Sequence, residues 1–538
     1  MILAGLLGLV AILNSGYLGW IAAFTFAVCG FFVGIFFWLR SSISSMMDMP
    51  DTFGSSRWAT EQDIEEAGFF ENEGLYIGEC LKDGELTPIE YNGDRHLMTV
   101  APTRSGKGTS QIIPNLLSYR GSVVVIDPKG ENAMITAKAR KDAGFEVHIV
   151  DPWGIVEAEG IETSTLNPLD WLDPMDNEIT ENSMILADAL VMAENHNDSF
   201  WNEEAKALLQ GLLLHVASDA AEDGYRHLGR VREILVSGKD ELTKVFTKMA
   251  ESDHHMIAST GNRCLQKEDK LLSNVLASAQ AQTHFLDSEY LRENMKTSSF
   301  KFEDLKTKPM TIYLVLPADR LNTFSRWLRL LVQQAITVNA RNIQTKPVKP
   351  VLFILDEFAA LGRLSMVEQA YGLMAGFGMQ LWAIVQDVSQ LERIYDKGWQ
   401  SFVANAGMVN YFGSSDQRTA EYFSALCGEQ TVWNFSSAVS HAFSNSVGQQ
   451  GGGSSNTSTN SSNAALSQRK LAFPDELMRM NNRTQIILME NVHPILASKQ
   501  FWFENDRLKE LGVNLHDQET VAEPAPAEEI LNEEQNHE

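Results

Sequence analysis

At 538 residues, with 44% hydrophobic and 21% charged side chains, the chain has ordinary globular proportions; this excludes a wholly disordered or fibrous protein and leads us to expect more than one structural unit. Lys and Arg number 43 against 70 Asp and Glu, a net charge of −27, so the general surface cannot wrap nucleic acid and any such contact must be local. Cys29, Cys80, Cys264 and Cys427 form no C-x-x-C pair, which excludes a zinc ribbon or a disulfide framework and fits a reducing cytosol.

From Met1 to Leu39 no side chain is charged. As one helix this run would reach about 59 Å, roughly twice the hydrocarbon thickness of a bilayer, so a break is expected near Asn14-Ser15-Gly16. Residues 1–40 are therefore predicted to be a transmembrane anchor of one or two spans. A signal peptide would need a basic start, a shorter apolar core and a small-residue cleavage site, none of which is evident. Arg40 and Arg57 follow the run and favour a body on the cytoplasmic side of a bacterial inner membrane.

The apolar stretch Leu97-Met98-Thr99-Val100 leads into Ala101-Pro102-Thr103-Arg104-Ser105-Gly106-Lys107-Gly108-Thr109, after which Ile112-Ile113 opens a helix. Strand, loop and helix in this order suit phosphate binding: backbone N–H groups curl around the anion at a helix N-terminus and one ammonium, that of Lys107, reaches the outer phosphates. Two positions depart from G-x-x-x-x-G-K-[ST], with Ala101 in place of the first Gly and Gly108 in place of the Mg²⁺-binding hydroxyl. Thr109, one residue later, is the candidate hydroxyl, reaching the metal through a shifted backbone or through water. ATP and Mg²⁺ are the implied cofactors, and ATP is available in the cytosol.

Val123-Val124-Val125-Ile126 feeds Asp127-Pro128-Lys129-Gly130-Glu131, and Thr311-Ile312-Tyr313-Leu314-Val315-Leu316 is a further buried strand of what reads as one parallel sheet. Between them, residues 178–299 carry apolar side chains at helical spacing, such as Leu208, Leu209, Leu212 and Leu213, and are predicted to be an inserted all-α domain.

Val351-Leu352-Phe353-Ile354-Leu355 has the pattern of a fully buried parallel strand and ends in Asp356-Glu357, at the sheet edge that faces ligands in such folds. Asp356 would hold Mg²⁺ and Glu357 would polarise the water attacking the γ-phosphate; capping of a following helix is the plainer role for such a pair. The strand Gln380–Val385 delivers Gln386 to the same edge, where its amide could sense the γ-phosphate. Arg363, Arg393 and Arg418 are candidate arginine fingers for a neighbouring subunit.

Residues 436–467 are rich in Ser, Asn and Gly and read as a long mobile loop. Gln485-Ile486-Ile487-Leu488-Met489 and Gln500-Phe501-Trp502-Phe503 read as closing strands. The tail 516–538 holds eight acidic residues and no Lys or Arg, and is predicted to be disordered.

These residues together resemble the type IV coupling proteins, the TraG-like and TraD-like ATPases of conjugation and type IV secretion. The likeness runs from about Phe53 to Leu511. It rests on Pro-Thr-Arg-Ser-Gly-Lys-Gly at 102–108, on Val125-Ile126-Asp127-Pro128-Lys129-Gly130-Glu131, and on Asp198-Ser199-Phe200-Trp201-Asn202. Leu355-Asp356-Glu357-Phe358, and Arg469-Lys470-Leu471 with Pro474-Asp475-Glu476-Leu477-Met478, complete it.

The family often has Gly after the loop lysine. The resemblance implies an α/β, RecA-like P-loop motor with a mostly parallel sheet over 41–177 and 300–515. It implies a homo-hexamer that receives relaxase-bound DNA or protein effectors and passes them to the inner-membrane channel of a type IV secretion system. Ala101 departs from the family pattern, and the N-terminus lacks the sizeable periplasmic loop common between two spans.

Two other readings stand beside this one. A membrane docking receptor for secretion cargo would use nucleotide without hydrolysing it, and a chromosome-type DNA pump would share the motor but need a dedicated DNA-reading domain, of which no basic segment near the C-terminus gives a sign.

Overall fold

The structure is a computed structural model and describes residues 24–25, 27–38, 54–71, 74–157, 160–192, 199–446 and 453–515. It divides into two compact units. One comprises residues 1–57 and 427–471, the other residues 58–426 and 472–538.

The larger unit is built on an eleven-stranded sheet. Its strands are β1 (Leu75–Lys82), β2 (Glu85–Tyr91), β3 (Leu97–Val100), β4 (Val123–Asp127), β5 (Glu146–Val150), β6 (Met310–Val315), β7 (Val351–Leu355), β8 (Met379–Val385) and β9 (Met408–Tyr411). The smaller unit holds β10 (Glu429–Ser446) and β11 (Gly453–Lys470), and the chain then returns to the large sheet as β12 (Thr484–Met489) and β13 (Ile495–Ser498).

The order across the large sheet is β2-β1-β13-β12-β9-β3-β8-β7-β4-β6-β5. The seven strands from β9 to β5 are mutually parallel, whereas β12, β13, β1 and β2 pair antiparallel. In the central strands every residue is buried, as a sheet covered on both faces requires. Val123, Val125, Leu352, Ile354, Trp382 and Ile384 share one continuous apolar core. The indole N–H of Trp382 donates to Thr99 Oγ at 2.9 Å, which satisfies the one polar atom of a fully buried ring.

Between β5 and β6 the chain is helical: Ile179–Leu190, Ser199–Ser218, Leu228–Val236, Lys239–Ala250, His255–Gln266, Asp269–Gln282 and Glu289–Asn294. This helical block and the large sheet fall within one compact unit. Arg329, on the helix Leu321–Arg341, is buried and donates to Ala189 O at 3.0 Å, Leu361 O at 3.1 Å and the carbonyl of Arg363. It thereby ties the end of the first inserted helix to the segment after the acidic pair.

Two readings of the sequence need correction. Within the segment read as a mobile loop, residues 436–446 and 453–467 are strand, paired as β10 and β11 in an antiparallel ribbon with Glu429 opposite Lys470 and Ser446 opposite Gly453. The polar composition concealed an alternation of Trp433, Phe435, Val439 and Phe443, the period-two signature of a strand. The second closing strand is not at 500–503 but at Ile495–Ser498, and Trp502–Glu504 is a 3₁₀ turn. The apolar bulk of Phe501 and Trp502 mimics a strand, whereas these rings pack beneath the loop at Gly106 and against Ile135 and Gly512.

Among the described residues no helix is long and apolar enough to cross a membrane. Most of residues 1–40 and all of the tail 516–538 lie outside the described residues; positions 27–38 are helical and expose Phe31, Phe32, Phe36, Phe37 and Trp38.

Candidate nucleotide site

Strand order determines what can meet. Because β8 lies between β3 and β7, the chain leaves three adjacent parallel strands at one sheet edge: the loop after Val100, the acids after Leu355 and Gln386 after Val385. Two strand spacings, about 10 Å, separate the outer pair, a gap that a lysine and two carboxylates can bridge.

The loop Ala101–Thr109 is wound tightly. Ala101 is fully buried, donates its N–H to Val385 O at 2.8 Å and is not among the residues with positive φ, so the missing first glycine is not needed for conformation. Thr103 and Arg104 are exposed at the tip, with Pro102 half-buried beside them, and the Ser105 N–H returns to Pro102 O at 3.2 Å. Arg104 has φ +64° and Gly106 φ +89°, after which Lys107 is right-handed helical; left- then right-handed residues in succession turn backbone N–H groups inward to form an anion-binding concavity. A Cβ on Gly106 would meet the Phe501 ring at 2.9 Å, so conformation and space both demand glycine here.

Gly108–Ile112 is a π-helical turn running into Ile113–Ser118. Thr109 Oγ donates to Gly106 O at 3.2 Å and Ser110 Oγ to the same carbonyl at 2.8 Å. Thr109 Oγ retains acceptor capacity, while a Cβ on Gly108 would meet nothing within 4 Å.

The Lys107 ammonium lies 2.7 Å from Asp356 Oδ1 and 2.7 Å from Glu357 Oε1. Gln386 Nε2 donates to the other Glu357 oxygen at 3.0 Å, so all four side chains named from the sequence form one hydrogen-bonded cluster. Burial pulls the Lys107 ammonium towards lower pKa, but the two carboxylates outweigh it and hold the group above the ordinary lysine range. The Asp356 carboxyl, also buried, is held above its usual range because desolvation exceeds the pull of Lys107. Both directions are consistent, since two acids share one ammonium. Glu357 sits at φ +54°, a left-handed conformation that is costly for a glutamate and directs its side chain at Lys107 and Gln386.

One strand further on, Asp127 is buried at the same edge and burial pushes its carboxyl up to about 7. Its Oδ2 accepts the Ala133 N–H at 2.9 Å, and Gly130 at φ +74° opens the helix Glu131–Asp142. The Asp-Pro-Lys-Gly-Glu run thus shapes a strand-to-helix turn. Of the candidate arginine fingers, Arg363 pairs with Glu368 at 3.3 Å, Arg418 with Glu392 at 2.5 Å, and Arg393 is exposed. In the Asp198–Asn202 motif, Asp198 is outside the described residues and Ser199 opens a helix.

Lys499 was not anticipated. It is almost fully buried, and its ammonium donates to the carbonyl of Ser105 at 3.2 Å and of Phe412 at 3.5 Å. A lysine between the strand Ile495–Ser498 and the aromatic run 501–503 was the available signal.

A family model described as type IV secretory system conjugative DNA transfer matches residues 57–532. The chain belongs to that family. Curated relatives include the conjugal transfer protein TraG of Escherichia coli, 28% identical over an alignment of 417 residues that covers 70% of this chain and 64% of the relative. Protein VirD4 of Rhizobium radiobacter is 27% identical over 486 residues, 88% of this chain and 67% of the relative. The chain thus spans about two thirds of the length of these relatives.

Among solved structures, the unbound bacterial conjugative coupling protein TrwBdeltaN70 superposes with a TM-score of 0.59 over 84% of this chain and 94% of that one, at 15% identity. Plasmid coupling protein TrwB in complex with ADP and Mg²⁺ gives 0.59 over 84% and 95%, at 16% identity. These likenesses show that the chain shares the TrwB fold, an α/β architecture with a mostly parallel sheet.

Proposed function

We propose that the chain binds Mg-ATP at the edge formed by β3, β8 and β7 and hydrolyses it to drive transfer of DNA through a type IV secretion or conjugation channel. The observation that carries this reading is the contact of one ammonium, Lys107, with both Asp356 and Glu357 at 2.7 Å. In the nucleotide-bound state Lys107 would turn to the β- and γ-phosphates, and the N–H groups from Ser105 to Gly108 would line the phosphate cradle. Asp356, with Thr109, would hold Mg²⁺, which neutralises the developing phosphate charge. Glu357 would then orient and deprotonate water, with Gln386 holding its second oxygen and registering the γ-phosphate. The solved complexes of TrwB with an ATP analogue, ADPNP, and with ADP and Mg²⁺ support the choice of ligand.

The aromatic-rich helix at 27–38 and the uncharged sequence around it support anchoring in the bacterial inner membrane with the body in the cytoplasm. Relaxase-bound DNA or protein effectors as cargo, the channel's inner-membrane components as receivers, and a homo-hexameric ring follow from family membership as parts of the same proposal. The test is phosphate release by the full-length chain with and without single-stranded DNA. Turnover that DNA stimulates and Lys107→Ala abolishes is expected, and turnover that survives Lys107→Ala refutes the assignment.

A second reading, a docking receptor that binds nucleotide without hydrolysing it, is favoured by Gly108, which brings no hydroxyl to the metal position. It predicts cargo transfer intact in Glu357→Gln, whereas the motor reading predicts bound nucleotide, no turnover and no transfer.

A further inference from the structure

We infer that Lys499 is a positioning residue for the phosphate loop: its ammonium holds the Ser105 carbonyl outward so that the Gly106 N–H faces the phosphates. The inference rests on the nucleotide-site reading above and adds to it a residue that lies 394 positions from its partner in sequence.

A backbone concavity binds an anion only if its peptide N–H groups face inward, and because each peptide is planar and trans, every inward N–H sends the preceding carbonyl outward. That outward carbonyl needs a donor, or the peptide can flip and present oxygen to the phosphates. For the peptide joining Ser105 to Gly106 the donor is Lys499 Nζ at 3.2 Å, and among the described residues nothing accepts the Gly106 N–H. Gly106, at φ +89° and without a Cβ, offers no side-chain resistance to rotation of this peptide.

The lysine is costly to keep. Its side chain is 4% exposed, the ammonium lies 3.8 Å from the Phe412 ring centroid, and its contacts among the described residues are carbonyl oxygens and a ring face, with no carboxylate. Burial lowers its pKa to about 8. A methionine would fill the same space without a desolvated charge, so stability does not account for a lysine here. The chain just beyond it reinforces the contact, since Phe501 packs where a Cβ on Gly106 would lie. The end of β13 therefore supports the loop from beneath with one polar grip and one aromatic.

The experiment measures ATP affinity, KM, kcat and the thermal midpoint of the full-length chain as wild type, Lys499→Met and Lys499→Arg. Loss of one charged donor predicts ATP affinity and KM weaker by on the order of tenfold in Lys499→Met, kcat within about twofold, an unchanged or raised thermal midpoint, and substantial recovery in Lys499→Arg. Wild-type affinity in Lys499→Met overturns the inference, as does a fall in kcat and thermal midpoint with KM unchanged, which marks a purely structural lysine. Should Lys499→Met fail to fold, Lys499→Arg with wild-type KM sustains the assignment and Lys499→Arg folded but with KM raised as far as total loss of the donor predicts removes it. A wild-type chain that binds no ATP overturns the nucleotide-site reading itself, and the inference falls with it.

Discussion

Glu357→Gln separates two roles that one side chain plays. Lys107 is held by both Asp356 and Glu357 at 2.7 Å, so a phosphate bound at the loop would have to draw the ammonium away from at least one of them. A hydrogen bond to a charged partner is worth about 1.5–3 kcal/mol net. Glu357 is about a quarter exposed, which places its hold on Lys107 at the lower end, about 1.5 kcal/mol. Replacing the carboxylate with an amide removes most of that competition, and about 1.4 kcal/mol corresponds to tenfold tighter ATP binding. On the proposed mechanism the same change deletes the group that would take the proton of the attacking water, which predicts a kcat lower by about 10²–10⁴. Calorimetric titration with ATP and steady-state phosphate release report the two effects separately. Weaker binding in Glu357→Gln, or turnover within a few-fold of wild type, would refute the arrangement of one ammonium shared by two acids.

Other consequences follow from the same geometry. Gly108→Ser places a hydroxyl at the generic metal position where a Cβ meets open space, so the variant should fold normally, stabilise the helix start by about 0.5–1 kcal/mol and reach half-maximal turnover at lower Mg²⁺; a drop in thermal midpoint would contradict this. His96 is fully buried, with Nδ1 accepting the Leu381 N–H and Nε2 facing Ala370 O, and burial lowers its pKa from 6.5 to about 4. The unfolded chain then binds this proton first. Stability present above pH 6.5 is therefore lost as pH falls towards 4, by about 3 kcal/mol from this group, and thermal midpoints over that range should fall less steeply in His96→Gln. A slope unchanged in the variant would show that His96 is not the group responsible.

The half of the sheet that carries the candidate site was legible because its signals are local. The strands Leu97–Val100, Val351–Leu355 and Met379–Val385 are short apolar runs, followed by the glycine-lysine loop, by Asp356-Glu357 and by Gln386, and parallel strands deliver such segments to one edge whatever their order. The order itself was not legible. Placing β8 between β3 and β7 results from crossovers spanning hundreds of residues, and only that order gives Gln386 its contact with Glu357. The antiparallel extension through β12, β13, β1 and β2 escaped in part because Leu75–Lys82 and Glu85–Tyr91 mix charges with apolar residues. The ribbon β10–β11 was misread for a different reason: composition over residues 436–467 spoke for a loop while spacing spoke for strands. Lys499 could be flagged as an oddity in an apolar stretch, but its partner carbonyl is a backbone group, which carries no side-chain signature in a sequence.

Arg329 fastens three carbonyls that belong to different parts of the chain: Ala189 at the end of an inserted helix, and Leu361 and Arg363 just past Glu357. A rigid tilt of the helical block that leaves those bonds intact must tug the peptide at Leu361, four residues from a glutamate already wound the unfavourable way. A displacement of the inserted helix is thereby coupled to the segment that carries Glu357, with the Arg329 guanidinium as one of the links.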